Sequence, residues 1–269
     1  MKIVDTHAHI FSRHGAFIAD ARYRPSTDAT VTEYLTNLDR HGIQYGVLIQ
    51  PSFFGVDNSE MLAAITAHPD RLKGIAVVPT DIDAAALQSL TRQGIVGARL
   101  NLFGKPLPNL RDPRWQAFLS RAGQQGWQLE LHCPPDYLRT LLSGLADYAG
   151  PVVIDHLGRV DPAKGIADAD YRAALSMLDP ERHWVKVSGY YRLGHGDQGE
   201  RHAHEALQLL LERGMHERLV WGSDWPHTQH DDQVHYDATI GFLNSLIPNE
   251  ALRMRVLGDN ALKLFGFAP

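Results

Sequence analysis

Eight short β-branched or apolar runs, separated by longer stretches of helical pattern, recur along this 269-residue chain. The runs are KIVDTHAHI, YGVLIQPS, LKGIAVVP, IVGARLNL, WQLELHC, VVIDHLG, HWVKVSG and LVWGSDW. Between them lie amphipathic stretches such as TVTEYLTNLDRHG, NSEMLAAITAHPD, DPRWQAFLSRAGQQG and DYLRTLLSGLADYAG. Several end on Gly, as helix C-termini commonly do, and Asp112-Pro113 suits an N-cap followed by Pro at the first helical position. Strand alternating with helix predicts parallel strands joined by crossovers. Eight units in this length predict a (β/α)8 TIM barrel, for which about 250 residues is typical. The rival, an open doubly wound sheet, lacks its phosphate-binding fingerprint, since no Gly-x-Gly-x-x-Gly follows the first run. No Pro/Gly/Ser linker or composition shift marks a second unit, so one domain over 1–269 is expected, closed by a helix at 249–267.

In such a barrel the C-terminal strand ends and the loops beyond them build the active site. The first run carries Asp5, His7 and His9, which strict alternation places on one face. The second ends in Gln50 and Ser52, the fourth in Arg99 and Asn101 with Lys105 beyond, and the fifth in His132. The sixth gives Asp155, His156 and Arg159, the seventh Ser188, Tyr190, Tyr191 and Arg192, and the eighth Ser223, Asp224 and His227. A lone His or Asp at a strand end is usually hydrogen-bonded structure. His7, His9, His132 and His156, with Asp224 and three arginines, at equivalent positions point instead to a shared site. His202-Ala-His204 repeats the spelling of His7-Ala-His9, but on a helix, where residues two apart do not share a face. Those two are expected at the surface or in a loop, and Cys133 is expected to point away from His132 and pack.

The net charge of −5 and the lack of a Lys/Arg run argue against a nucleic-acid partner. No apolar segment is long enough for a membrane span, and the start of the chain does not read as a signal peptide. With one cysteine there is neither an internal disulfide nor a cysteine zinc cluster, and a cytoplasmic protein is expected. Arg99, Arg159 and Arg192 at one barrel mouth point to an anionic substrate, because guanidinium forks grip carboxylates in paired hydrogen bonds. Arg159 has an alternative in pairing with Asp161 or Asp155. Alternation lets only one of Tyr190 and Tyr191 reach the site.

Together VDTHAHIF, QPSFFGVDN, GARLNL, IDHLGR, VKVSGYYR and GSDWPH resemble, in order and spacing, the amidohydrolase superfamily. The likeness is to its lactonase branch around 2-pyrone-4,6-dicarboxylate hydrolase. The resemblance implies a distorted barrel that hydrolyses a carboxylated or sugar-acid lactone at its C-terminal face. It implies Asp224 as the base that takes a proton from the attacking water, and His7, His9 and His156 as groups that bind metal or polarise the carbonyl. Arg99 and Arg192 match positions that hold substrate carboxylate, Lys105 falls at a further such position, and Tyr23 resembles a substrate-contacting loop tyrosine. Ser52 and Arg159 complete the expected substrate contacts. Arg99 and Asn101 stand where some superfamily members carry a bridging carboxylate or carboxylated lysine, which implies no two-metal centre. A single ion on His7, His9, His132 and Asp224 is an N/O ligand set suited to zinc or manganese, and would lower a bound water's pKa to roughly 7. Without metal, protonated histidines would stabilise the oxyanion. The competing activities are a lactone isomerase and a metal-dependent decarboxylase of the same superfamily, and further off a non-catalytic barrel binding organic acids.

Overall fold

The computed structural model describes residues 2–268. Its strands are β1 (Val4–Ala8), β2 (Tyr45–Ile49), β3 (Leu72–Ala76), β4 (Ile95–Asn101), β5 (Gln128–His132), β6 (Val152–Ile154), β7 (His183–Val187) and β8 (Leu219–Trp221). They form one sheet in chain order, and every neighbouring pair is parallel. The sheet returns on itself through the parallel bridge of Ala8 with Trp225 and through Thr6 Oγ1, which donates to the Trp221 carbonyl at 2.7 Å. Each of the eight predicted runs contains one strand, and the (β/α)8 barrel stands.

The crossovers are α1 (Val31–Arg40), α2 (Ser59–Ala67), α3 (Ala84–Arg92), α4 (Pro113–Gln124), α5 (Pro135–Gly144), α6 (Ala169–Ser176), α7 (Asp197–Glu212) and α8 (Tyr236–Leu246). Local chemistry sets where they start. Thr30 and Glu33 form a reciprocal capping box at α1. Asp112 accepts from Arg114 N at 2.9 Å at the head of α4, ahead of Pro113 in the first turn. The closing helix comes in two parts, α9 (Glu250–Met254) and α10 (Asn260–Phe265), joined by a π-helical turn at Arg255–Asp259.

Alternation divides each strand between two environments. Leu129, Leu131, Val185 and Val187 face the helices. Val4, Val47, Val153 and Val220 turn inward and meet Ala261 and Phe265 of α10, which close the N-terminal end of the barrel. Each such side chain contributes about 1.5–3 kcal/mol on burial. Farther along the strands the inward residues change from apolar to charged, with Arg99 on β4, Glu130 on β5 and Lys186 on β7 all buried. Among the described residues no helix is long and apolar enough to cross a membrane.

Candidate active site

The strand ends converge on a cleft lined by His9, Arg22, Tyr23, Arg99, Arg159 and Asp224 among others. A wider groove between α4 and α5 shares no residue with it. At the cleft floor Asp224 is buried. Its Oδ2 accepts from the Tyr191 hydroxyl and from Arg192 Nε, both at 2.6 Å. Its Oδ1 has no hydrogen-bond partner and lies 3.7 Å from His7 Nε2 and 3.6 Å from His9 Nε2. His156 stands against His7, ring centroids 4.7 Å apart, with its Nδ1 2.8 Å from Ser188 Oγ.

The backbone shows why these side chains meet. Non-glycine residues with left-handed φ cluster here: His156 at 49°, Arg159 at 56°, Asp224 at 60° and Gln229 at 69°. L-residues adopt that region rarely, and such outliers concentrate at functional sites. Two glycines make room for the imidazoles. A Cβ on Gly222 would lie 2.5 Å from His7 Cβ, and one on Gly189, itself at φ 60°, would lie 2.8 Å from His156 Nδ1.

Several expectations change against this geometry. Asp5 does not share the face of His7 and His9. The register of β1 shifts between Asp5 and Ala8, and Asp5 turns to Ser223 and Tyr236, accepting from Ser223 Oγ at 2.6 Å and from the Tyr236 hydroxyl at 3.0 Å. Arg159, read as the arginine with an internal alternative, has no carboxylate partner among the described residues and lies over the Phe103 ring at 4.5 Å. Arg99 takes Asp155 instead, through Nε at 3.0 Å and Nη2 at 2.8 Å, so most of its fork is committed inside the protein. Arg192 is committed to Asp224. Lys105 is exposed and absent from the cleft lining, and its carbonyl accepts from Tyr137. Tyr23 and Ser52 do line the cleft, the first bonded to Thr228 Oγ1 at 2.9 Å, the second 3.4 Å from Arg22 Nη2. Tyr191 is the tyrosine that reaches the site, while Tyr190 stacks on Phe242. His202 is half-buried against the Leu193 carbonyl rather than at the surface, while His204 is exposed and Cys133 packs in the core as expected.

An amidohydrolase family model matches residues 4–267. The chain belongs to this family. Among solved structures, this amidohydrolase is similar to a probable 2-pyrone-4,6-dicarboxylic acid hydrolase from Acinetobacter baumannii with citric acid bound, at 48% identity and a TM-score of 0.98, over 99% of this chain and 100% of that one. It is 29% identical to the 4-sulfomuconolactone hydrolase of Rhizobium radiobacter, over 97% of this chain and 89% of the relative. It is 27% identical to the 2-pyrone-4,6-dicarboxylate hydrolase of Comamonas testosteroni, over 97% and 89%.

Electrostatics at the site differ from the expected tuning in two respects. Burial alone would raise the Asp224 carboxyl, but the Arg192 guanidinium beside it outweighs burial and holds it well below the usual carboxylate range. The base is therefore ionised throughout the neutral range rather than poised near it. The histidines are not cationic. Burial pushes His7 and His132 well below their ordinary value, lowers His9, and takes His156 down to about 3 against the pull of Asp224 and Asp155. The protonated-histidine oxyanion trap is replaced by neutral imidazoles in a cleft that carries two cations with no carboxylate partner among the described residues, Arg22 and Arg159.

By proximity, two groups in this amidohydrolase could hold an ion: His7 with His9 and Asp224, and His7 with Asp155 and His156, the ligand atoms within 4.8 Å of one another in each. His132 belongs to neither, and sits against Phe103 and His156 with its Nδ1 3.2 Å from Asn101 Oδ1. The hydrogen bonds fit an ion less well than the distances do. Lys186 Nζ lies 3.2 Å from His7 Nδ1, and an ammonium can only donate. A neutral imidazole accepting at Nδ1 carries its proton on Nε2, so the nitrogen facing Asp224 offers no lone pair. Asp155 Oδ2 is occupied by Arg99.

Sequence reasoning missed Glu130, Lys186 and Arg22. The first two left a signal: a Lys between valines in VKV, and a Glu between leucines in LEL, inside strands that a barrel buries on both sides. Arg22 comes from the long loop before α1, and nothing in its local sequence marks it.

Proposed function

We propose that the protein is a hydrolase that opens the ring of a small anionic lactone, of the dicarboxylated pyrone or sugar-acid kind, by attack of a water held at Asp224. The observation that carries this reading is Asp224 itself: one carboxylate oxygen locked by Arg192 and Tyr191, the other buried, without a partner and aimed between two imidazoles. A carboxylate so held accepts a proton without having to reorient. The water loses its proton to Oδ1 as its oxygen bonds the lactone carbonyl carbon. The tetrahedral oxyanion forms in a cleft whose cations stabilise it. On collapse the ring C–O bond breaks, and the proton held on Asp224 is available to the leaving oxygen. One lactone and one water give one ring-opened acid.

The substrate's charge meets Arg22 and Arg159, the cleft arginines with no carboxylate partner among the described residues. Bidentate gripping of carboxylates is what such forks do best. The citric acid in the Acinetobacter structure and the anionic lactones named for the relatives agree with that charge. No step requires zinc or manganese, because His7 Nε2 presents a hydrogen where a ligand needs a lone pair. The test is acid release, followed with a pH indicator, over pyrone-dicarboxylate, muconolactone-type and sugar-acid lactones. Release by the wild type and none by Asp224→Asn is the expected result. Silence of the wild type across the panel would overturn the lactonase reading.

A further inference from the structure

Below the cleft, Lys186 is fully buried, and its three donors meet three acceptors: Glu130 Oε1 at 2.6 Å, the Thr6 carbonyl at 3.0 Å and His7 Nδ1 at 3.2 Å. Asp155 Oδ1, 3.6 Å from the same His7 nitrogen, accepts no hydrogen bond. The His7 Nδ1 position is therefore that of an acceptor, and its ring hydrogen is on Nε2. His9 is held the opposite way. Its Nδ1 lies 2.7 Å from the Ile49 carbonyl, which can only accept, so the hydrogen is on Nδ1 and Nε2 faces Asp224 with a lone pair.

The three atoms around Asp224 Oδ1 then have different roles. His7 Nε2 donates, while His9 Nε2 and Asp224 Oδ1 accept. A water about 2.8 Å from each would give both hydrogens to the acceptors and take one from His7, leaving a lone pair for a carbonyl carbon. A divalent ion would need three lone pairs and would meet the Nε2 hydrogen instead.

We propose that Lys186 is a positioning residue: from β7 it fixes His7 as the Nε2–H tautomer, and so makes this a seat for a water rather than for a divalent ion. The idea rests on the proposed function in taking Asp224 as the base, but its test needs no substrate. In wild-type protein labelled with nitrogen-15 on histidine, long-range proton–nitrogen spectra distinguish pyridine-type from pyrrole-type ring nitrogens, and His7→Gln assigns the signal. The expected pattern is pyridine-type Nδ1 and pyrrole-type Nε2 for His7, and the reverse for His9. A pyrrole-type Nδ1 on His7 overturns the proposal whatever the activity assays show.

The second arm is a zinc titration against a competing chelator. Removing the ammonium frees the His7 hydrogen to move to Nδ1, toward Asp155, and exposes Nε2 as a third ligand. Lys186→Met paired with Glu130→Gln keeps the buried charge balanced. This double variant is expected to bind one zinc at least about tenfold more tightly than wild type, in line with the 10–100-fold that partners of a metal-bound histidine are worth, and to lose the gain when His9→Ala is added. Zinc affinity equal to wild type in a folded double variant would overturn the assignment. So would wild-type protein that already binds one zinc through His7.

Discussion

Four arginines line the cleft, and what separates them is whether each has a carboxylate of its own. Arg99 is paired with Asp155 and Arg192 with Asp224, while Arg22 and Arg159 have no such partner among the described residues. Charge-assisted hydrogen bonds are worth roughly 1.5–3 kcal/mol, or about ten- to a hundredfold. Arg22→Met and Arg159→Met are therefore expected to raise KM for a carboxylated lactone by that factor, with kcat less affected. Arg192→Met, which releases Asp224, is expected to lower kcat at least about a hundredfold, the range of a misplaced general base. Steady-state kinetics on one substrate separate the classes, and a KM effect confined to Arg99 and Arg192 would reverse the assignment. Residue type and strand-end position were enough to find Arg99, Arg159 and Arg192 in the sequence. They did not say which were already paired, because Asp155 lies near Arg159 in the chain but pairs with Arg99 in the fold.

At the scale of elements, the barrel buries an ion pair between β5 and β7, Glu130 with Lys186, both fully inaccessible. Burial pushes the Glu130 carboxyl up to about 7 even with the ammonium beside it. Such pairs add little net stability, yet breaking one leaves an uncompensated buried charge that costs about 3–5 kcal/mol. Lys186→Met alone is expected to destabilise by that amount in urea unfolding. Adding Glu130→Gln is expected to recover a large part, and additive losses would show that the two do not act as a pair. The strands themselves were legible, since eight β-branched runs between amphipathic helices leave few folds open. The face of Asp5 was not, because strict alternation misleads where β1 shifts register between Asp5 and Ala8. The closing helix breaks at a π turn that contains Gly258, which the continuous helix expected over 249–267 did not take into account.

For the whole molecule, the site holds buried neutral histidines, and that has a consequence in acid. His7, His9, His132, His156 and His227 all titrate below their ordinary value in the fold, His156 at about 3 and His227 at about 4, with burial the first cause in each. The unfolded chain therefore binds more protons than the native one from about pH 6.5 downward, and each such histidine costs ~1.4 kcal/mol per pH unit until its native value is reached. Glu130 and Asp5, raised in the fold, act in the opposite sense but are fewer. Asp155 and Asp224, depressed in the fold, contribute stability that is lost only as pH falls below the ordinary carboxylate range. The urea midpoint is expected to fall between pH 6.5 and 5, before the depressed carboxylates Asp155 and Asp224 titrate. A midpoint level to pH 5 would mean the histidines are not held neutral.

The measurement that bears most directly on the function is a single turnover of an anionic lactone in oxygen-18 water. A water seated at Asp224 and delivered to the carbonyl predicts one labelled oxygen in the carboxylate of the ring-opened acid, and neither label nor product with Asp224→Asn. Product without label would mean that the ring migrates or loses carbon dioxide, and that Asp224 does not activate a water.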